Sequence, residues 1–363
     1  MYTVQFTEEA CRDVRSVGGK AAGLADMVAA GLPVAPGYAV TAEAYRAYLA
    51  QHGLLESTSR ILDRLGRTHD QGAFEEAERE IAELVSAAPV PDEVATEVRA
   101  AYRRLCEDTG VPDVAVAVRS SATAEDSVGA SFAGEFETWV DVVGEDAVLE
   151  HVARCYRSVF SGRVLSYLAE KGISPHAIEM AVVIQKTVRA RAAGVMFTLS
   201  PTSGDRSKVA LEASWGLGLS VVGGEVTPDR FLVDKVGLAI VERTLGRKLI
   251  EYRRGDAPVP VAEERQHVPC LSDEEITALA QLGKRLEKIH GAPQDIEFAL
   301  DEELPAGANV ILLQCRPETV WSSAQRKPAF DASAGMMSWI TGSISGAPAG
   351  GGAVGHRHES KAS

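Results

Sequence analysis

The sequence predicts an α+β protein built from two lobes. Three observations carry that expectation. The chain has 363 residues, more than one hydrophobic core usually accommodates, so two lobes or domains are expected. Residues 42–110 are rich in Ala, Glu and Arg and read as helices, broken near Pro89 and Pro91. Met180–Val188 reads as a strand, and Gln294–Leu300 with Asn309–Thr319 reads as two antiparallel strands joined by a polar loop containing Pro305 and Gly307.

Composition narrows the class. With 45% hydrophobic and 24% charged residues, the chain falls among ordinary globular proteins. No run of about 18 apolar residues suggests a membrane span, and Met1–Ala10 lacks the basic start and apolar core of a signal peptide. The five cysteines (Cys11, Cys106, Cys155, Cys270, Cys315) are far apart and form no CxxC or zinc spacing, so reduced thiols in the cytoplasm are expected. A formal charge of −14 argues against a nucleic-acid surface, which needs clustered Lys and Arg. It leaves room for a nucleotide, whose phosphates need only a few local cations and Mg²⁺.

In chain order, Ser16–Gly31 reads as a helix with Leu24, Met27 and Val28 on one face and Gly31 at its C-terminal end. Gly18-Gly19-Lys20 then opens the helix, where the dipole and free N–H groups favour an anion. The spacing is not that of a Walker A motif. Leu32–Thr41 reads as a turn and a structural strand. His52 and His69 lie in polar surroundings and are expected at the surface. Glu145–Tyr167 is expected as one helix with Val148, Val152, Tyr156 and Val159 on its buried stripe. Arg154, Arg157 and Arg163 nearby are expected as surface charges with helical partners. Ala193–Pro201 and Val209–Ser214 read as further strands, and Trp215-Gly-Leu-Gly218 as a tight turn. Residues 246–269, with several charges and three prolines, read as an exposed connection. Ser272 and Glu275 form a capping box for a helix running to about His290, stopped by Gly291 and Pro293.

Three polar constellations stand out. Val114–Val118 reads as a buried strand. A loop follows with Arg119, four hydroxyls (Ser120, Ser121, Thr123, Ser131) and two glycines (Gly129, Gly134). The next strand alternates, with Phe136, Thr138, Val140 and Val142 facing one way and Glu137, Trp139 and Asp141 the other. Such a loop suits a polyphosphate, although an ordinary Ser/Gly-rich hairpin loop has the same composition. On Met180–Val188, alternation sets Gln185 opposite Ile184 and Lys186. On the last hairpin, Glu297 opposes Ile296 and Phe298, while Gln314 and Arg316 share a face away from Cys315. A turn centred near residue 305 sets Glu297 beside Gln314, a carboxylate and an amide oxygen able to hold Mg²⁺, with Arg316 flanking the same phosphates. The alternative is a cross-strand polar pair on a solvated face.

The strings Arg-Ser-Ser-Ala-Thr-Ala-Glu-Asp (119–126), Ala-Ser-Phe-Ala-Gly (130–134) and Gln-Cys-Arg-Pro-Glu-Thr (314–319) resemble segments of the phosphoenolpyruvate synthase and pyruvate phosphate dikinase family, which includes the rifamycin phosphotransferases. The resemblance runs in order from about Gly18 to Val320. It implies a two-lobed ATP-grasp fold of the pyruvate phosphate dikinase N-terminal type: lobe 1 over 1–190 with the phosphate loop, lobe 2 over 191–325 with the metal site, and a flexible Ala/Gly/Ser-rich tail over 326–363. It further implies ATP and Mg²⁺ as ligands. Lys20, Arg119 and Arg316 would contact the phosphates, and Gly134 and Thr138 would belong to the loop over them. Gln185 would serve the adenine side, Glu297 and Gln314 the metal, and Glu212 would lie near the nucleotide.

In that family the module passes a phosphoryl or pyrophosphoryl group from ATP to a histidine on a swivelling domain, for delivery to pyruvate or another hydroxyl acceptor. The sequence shows no Gly-Gly-x-x-Ser/Thr-His motif for that histidine, and His356 and His358 lie in the tail. The expectation is therefore an ATP-dependent phosphotransferase subunit whose carrier histidine belongs to a separate domain or protein, as in split phenylphosphate synthases, or a truncated copy. No nucleic-acid or membrane partner is expected. The competing expectation is a non-catalytic nucleotide-binding or scaffold protein derived from the same fold.

Overall fold

In the computed structural model, residues 1–65, 70–86, 88–123, 138–173, 177–253 and 257–321 are described. Gly134, Gly129, Ser131, His69, His356 and His358 lie outside them, as does the side chain of His52. Two antiparallel sheets dominate. The first has five strands in the order β1-β2-β5-β3-β4: β1 (Thr3–Gln5), β2 (Gly37–Val40), β3 (Val116–Ala122), β4 (Thr138–Val142) and β5 (Met180–Lys186). The second has six in the order β13-β12-β6-β7-β8-β9: β6 (Ala190–Phe197), β7 (Lys208–Trp215), β8 (Asp229–Asp234), β9 (Ile240–Thr244), β12 (Gln294–Asp301) and β13 (Val310–Pro317). A small ribbon pairs β10 (Ile250–Glu251) with β11 (Val259–Pro260).

The helices are α1 (Val14–Ala29), α2 (Ala42–Ala50), α3 (Leu54–Leu65), α4 (Gln71–Ser86), α5 (Asp92–Thr109), α6 (Glu145–Ser158), α7 (Gly162–Lys171), α8 (Leu219–Val222), α9 (Glu263–Gln266) and α10 (Asp273–His290). Helices α2–α7 supply the core of the first sheet, in which Tyr48, Tyr102 and Tyr156 pack with Val116, Val118, Val182 and Ile184. Helices α1 and α10 supply the core of the second, with Leu24, Met27, Ile276 and Leu279 against Met196, Leu211, Ile296 and Phe298. Met1–Thr319 form one compact unit; of the remainder, Val320 and Trp321 are described.

Helix α1 touches both sheets, packing on β3 and β5 of the first and on β13 of the second. It is broken at Gly18, whose φ of 74° and ψ of 169° are not helical. A side chain there is doubly excluded, because a Cβ would stand 2.3 Å from the Ser121 carbonyl oxygen. Ser121 repairs the break. Its Oγ donates to the Val17 carbonyl at 2.9 Å and accepts from the Ala21 N–H at 3.4 Å. Gly19-Lys20 thus open a fresh helical segment, as the sequence suggested. At the other end Gly31, with φ 66°, follows the C-cap residue Ala30.

Three expectations need correction. Arg119, Ser120 and Ser121 are not in a loop: β3 continues to Ala122, held by full pairing with β5 from Val116↔Lys186 to Ala122↔Met180. Strand β4 does not alternate throughout. Asp141 takes φ 56°, and the β3–β4 register slips between Val116 and Val118. That slip turns Val142 into the core beside Trp139 instead of leaving it with Thr138 and Val140. The helix expected over 145–167 is two helices, since Ser161 caps α7 by accepting from the Val164 N–H at 3.3 Å.

The connection over 246–269 is largely exposed, as expected, but it is pinned at a buried charge. Lys248 is fully buried there, its ammonium donating to Asp229 at 2.5 Å and to the Gly246 and Gln266 carbonyls. The other face of the Asp229 carboxylate accepts the Cys270 N–H at 2.8 Å. Arg247, Arg253, Glu263 and Glu264 of this segment are exposed, whereas Lys248 and Glu251 are buried and paired, which composition alone does not show. Removing one partner of a buried, hydrogen-bonded ion pair leaves the other uncompensated. Lys248→Ala is therefore expected to lower unfolding free energy by about 3–5 kcal/mol, read as a lower midpoint in chemical denaturation.

Candidate functional site

Between the two sheets lies a cavity of about 390 Å³. Strand alternation decides what lines it. On β3, Val116 and Val118 point into the core, so Ala117 and Arg119 face the cavity. Thr138 sits directly across from Arg119 on β4, and Gln185 directly across from Ala117 on β5. The second sheet contributes Glu297 and Leu313, and the turn after β7 adds Leu217 and Leu219. One end is polar, around Arg119, Thr138 and Glu297; the other is walled by Val140, Val188, Leu217, Leu219 and Val222. Such a division suits a ligand with a flat apolar part and an anionic part.

The polar end is tightly organised. Glu297 of β12 is paired in register with Gln314 of β13. Arg119 reaches across from the first sheet, and its Nη2 donates to Glu297 Oε2 at 2.9 Å and to Gln314 Oε1 at 2.7 Å. Its Nη1 donates to the Leu313 carbonyl at 3.0 Å, while its Nε is buried without a hydrogen-bond partner among the described residues. A carboxylate oxygen and an amide oxygen therefore converge on one cationic nitrogen. That is the hard-oxygen donor pair Mg²⁺ takes, with waters and phosphate oxygens completing its shell, so these residues fit the metal. Among the described residues no group of three or more His, Cys, Asp or Glu forms a metal cluster.

The remaining sequence-selected residues are placed as follows. Arg316 shares the Gln314 face but holds Asp295, with Nε and Nη2 at 2.9 and 2.7 Å from Asp295 Oδ2. Lys20 is half-buried in the turn after the α1 break and is not among the described residues lining the cavity. Gln185 is buried, and its Nε2 donates to the Ala35 carbonyl at 3.2 Å. Glu212 lies two strands from Glu297 in the same cross-strand row, through Val195. It is bonded to Arg230 at 3.0 Å and is not in the cavity wall. The structure thus brings together Arg119, Thr138, Gln185, Glu297 and Gln314, sets Arg316 beside them, and leaves Glu212 apart.

Sequence reasoning missed Asp295. The signal was present, since Asp295 stands two residues before Glu297 and so shares its face. Burial pushes its carboxyl above the usual range, Arg316 opposes that shift, and Glu297 and Glu318 reinforce it. Cys315, between Gln314 and Arg316, points into the core; burial pushes its thiol up to about 12, so it stays a protonated packing residue. The cavity roof is also fixed. The Leu217 N–H donates to the Tyr252 carbonyl at 2.7 Å, and the Tyr252 hydroxyl donates to Glu225 at 2.7 Å.

A larger cavity of about 790 Å³ adjoins through Lys186, Thr187, Val188 and Ala190. Its charges largely satisfy one another, Arg189 with Glu303 at 2.9 Å and Arg265 with Glu251 at 2.8 Å. No helix among the described residues is long and apolar enough to cross a membrane.

Comparisons with known proteins match the chain to one family. Residues 14–335 match the family described as pyruvate phosphate dikinase, AMP/ATP-binding domain. The chain is 40% identical over 353 residues to a probable phosphoenolpyruvate synthase of Staphylothermus marinus, covering 90% of this chain and 42% of that protein. It is 40% identical over 344 residues to the phosphoenolpyruvate synthase of Aeropyrum pernix, covering 86% and 42%. To a probable phosphoenolpyruvate synthase of Methanocaldococcus jannaschii it is 38% identical over 320 residues, covering 87% and 26%. The chain thus spans less than half the length of these relatives.

The raised pKa of Asp295 gives a testable sign. A carboxyl that binds its proton more tightly when folded contributes stability below its unfolded value of 3.8 and loses that contribution as pH rises through the raised folded value. The stability of wild type relative to Asp295→Asn should therefore fall as pH rises through that window, in denaturant midpoints taken from about pH 3 to pH 7. A constant difference would contradict the burial of this charge.

Proposed function

Because the chain belongs to the pyruvate phosphate dikinase AMP/ATP-binding domain family, we propose that it is the Mg²⁺-dependent ATP-binding module of a dikinase-type phosphotransferase. The module would pass a phosphoryl or pyrophosphoryl group to a histidine on a separate carrier domain or protein, for delivery to pyruvate or another small-molecule hydroxyl. The sheet of β1–β5 and the sheet of β6–β9 with β12 and β13 serve as the two lobes of an ATP-grasp module, with the cavity as the nucleotide site. The observation that carries this reading is the convergence of Glu297 Oε2 and Gln314 Oε1 on the Arg119 guanidinium at the polar end of that cavity.

In this reading Gln185 and the apolar wall take the base, while Thr138 and Arg119 meet the phosphates. Lys20, at a helix start, and Arg316, beside Asp295, complete the cationic surround, and Gly134 belongs to the loop over the phosphates. Glu297 and Gln314 hold the metal, which supplies neutralisation of phosphate charge. Phosphoryl transfer asks little covalent chemistry of the protein. It asks for positioning and charge, and these residue types supply both. The greater length of the phosphoenolpyruvate synthases leaves room in them for a carrier histidine beyond the part matched here. We place the activity in the cytoplasm, where five cysteines far apart in the sequence and without CxxC spacing remain reduced.

The test is calorimetric titration of ATP with and without Mg²⁺. Wild type should bind ATP more tightly with Mg²⁺. Glu297→Ala should lose about tenfold or more of the Mg²⁺-dependent affinity and retain metal-free binding. Equal Mg²⁺ enhancement in both proteins would remove Glu297 from the metal site.

A further inference from the structure

The oxygens suited to the metal are already held by a cation of the protein. Arg119 has 12% of its side chain exposed and Glu297 24%, so the pair sits in a largely dehydrated setting where charge-assisted hydrogen bonds are strong. One guanidinium engages Glu297 and Gln314 through the nitrogen on which a metal would have to stand, and it anchors to the Leu313 carbonyl as well. A divalent ion cannot occupy that point while the guanidinium does.

We infer that Arg119 is an internal cation that closes the metal site until a polyphosphate draws it away. The inference rests on the nucleotide reading above and adds a binding order to it: free divalent metal is excluded, and the site opens as nucleotide enters. The hydrogen bonding supports an exchangeable contact. Among the described residues Arg119 Nε is buried with no hydrogen-bond partner, so the closed arrangement leaves them with an unsatisfied donor. A triphosphate offers enough oxygens to engage that donor together with the two terminal nitrogens. Withdrawal of the guanidinium leaves the Glu297 carboxylate uncompensated beside the Gln314 oxygen, which favours capture of a divalent cation at that moment. The same contact ties β3 of the first sheet to β12 and β13 of the second, so exchange also removes a tie across the cleft.

The test measures Mn²⁺ binding by electron paramagnetic resonance without nucleotide, in the full chain. Wild type should bind Mn²⁺ weakly. Arg119→Met, which keeps the stem and removes the charged fork, should bind it about tenfold more tightly, the gain expected if the closed form is populated about nine-tenths of the time. Glu297→Ala in the Arg119→Met background should abolish the gain, which locates the ion. Arg119→Lys guards against a misfolded variant: it should shift affinity in the same direction, because an ammonium lacks the fork that spans all three acceptors. Equal Mn²⁺ affinity in wild type and both variants would overturn the exchange. Retained Mg²⁺-ATP binding by wild type in the calorimetric titration would then leave the nucleotide reading standing, whereas loss of nucleotide binding under all conditions would remove that reading itself.

Discussion

The close approach of helix α1 to strands on both sheets is the constraint on which the site depends. A Cβ at Gly18 would lie 2.3 Å from the Ser121 carbonyl oxygen of β3, and one at Gly23 would lie 3.0 Å from the Cys315 carbonyl oxygen of β13. Two glycines five residues apart thus seat one helix on the strand bearing Arg119 and on the strand bearing Gln314 and Arg316. Wider packing would carry the guanidinium away from the Glu297–Gln314 pair. The break at Gly18 has a second consequence, since it starts a new helical segment at Lys20 and presents N–H groups at the level of β3. Ser121 ties that segment to the strand from within the core.

The far wall of the cavity is held by different means. Asp229 of β8 gathers the Gly246 N–H, the Lys248 ammonium and the Cys270 N–H, pinning a long connection that would otherwise wander. That connection brings Tyr252 against Gly216, where the left-handed glycine lets the Tyr252 carbonyl pass. The adjoining Trp215 ring lies under the Arg265 guanidinium at 4.4 Å and donates its Nε1–H to the Arg265 carbonyl. Polar burial on the second sheet thus shapes an apolar surface facing the cavity, at Leu217 and Leu219.

How much of this was legible in the sequence depends on how local the information was. The pairing of Glu297 with Gln314 follows from strand alternation and one short turn, and it survives the register slip because that slip falls just past Glu297. The capping box of α10 and the buried stripe of α6 are equally local and were read directly. Longer-range facts were not legible. That Arg119 spans to another sheet, that Lys248 is buried, and that Ser121 serves a helix instead of a ligand all depend on segments about a hundred or more residues away or on a fold context that no window displays. Asp141 shows a further limit: one residue at positive φ reversed the facing of Val142, and nothing in the composition of β4 marks it. Gly134 lies outside the described residues, so its part in the site stays a proposal.

The central claim, that nucleotide and metal meet between the two sheets at Glu297 and Gln314, is tested most directly by a crystal structure with a non-hydrolysable ATP analogue and Mn²⁺. The account predicts an anomalous peak coordinated by Glu297 and Gln314, the Arg119 guanidinium on phosphate oxygens, and the base against Val188, Leu217 and Leu219. Nucleotide in the neighbouring charged cavity around Arg189 and Arg265, or Mn²⁺ bound with Arg119 still on Glu297, would contradict it.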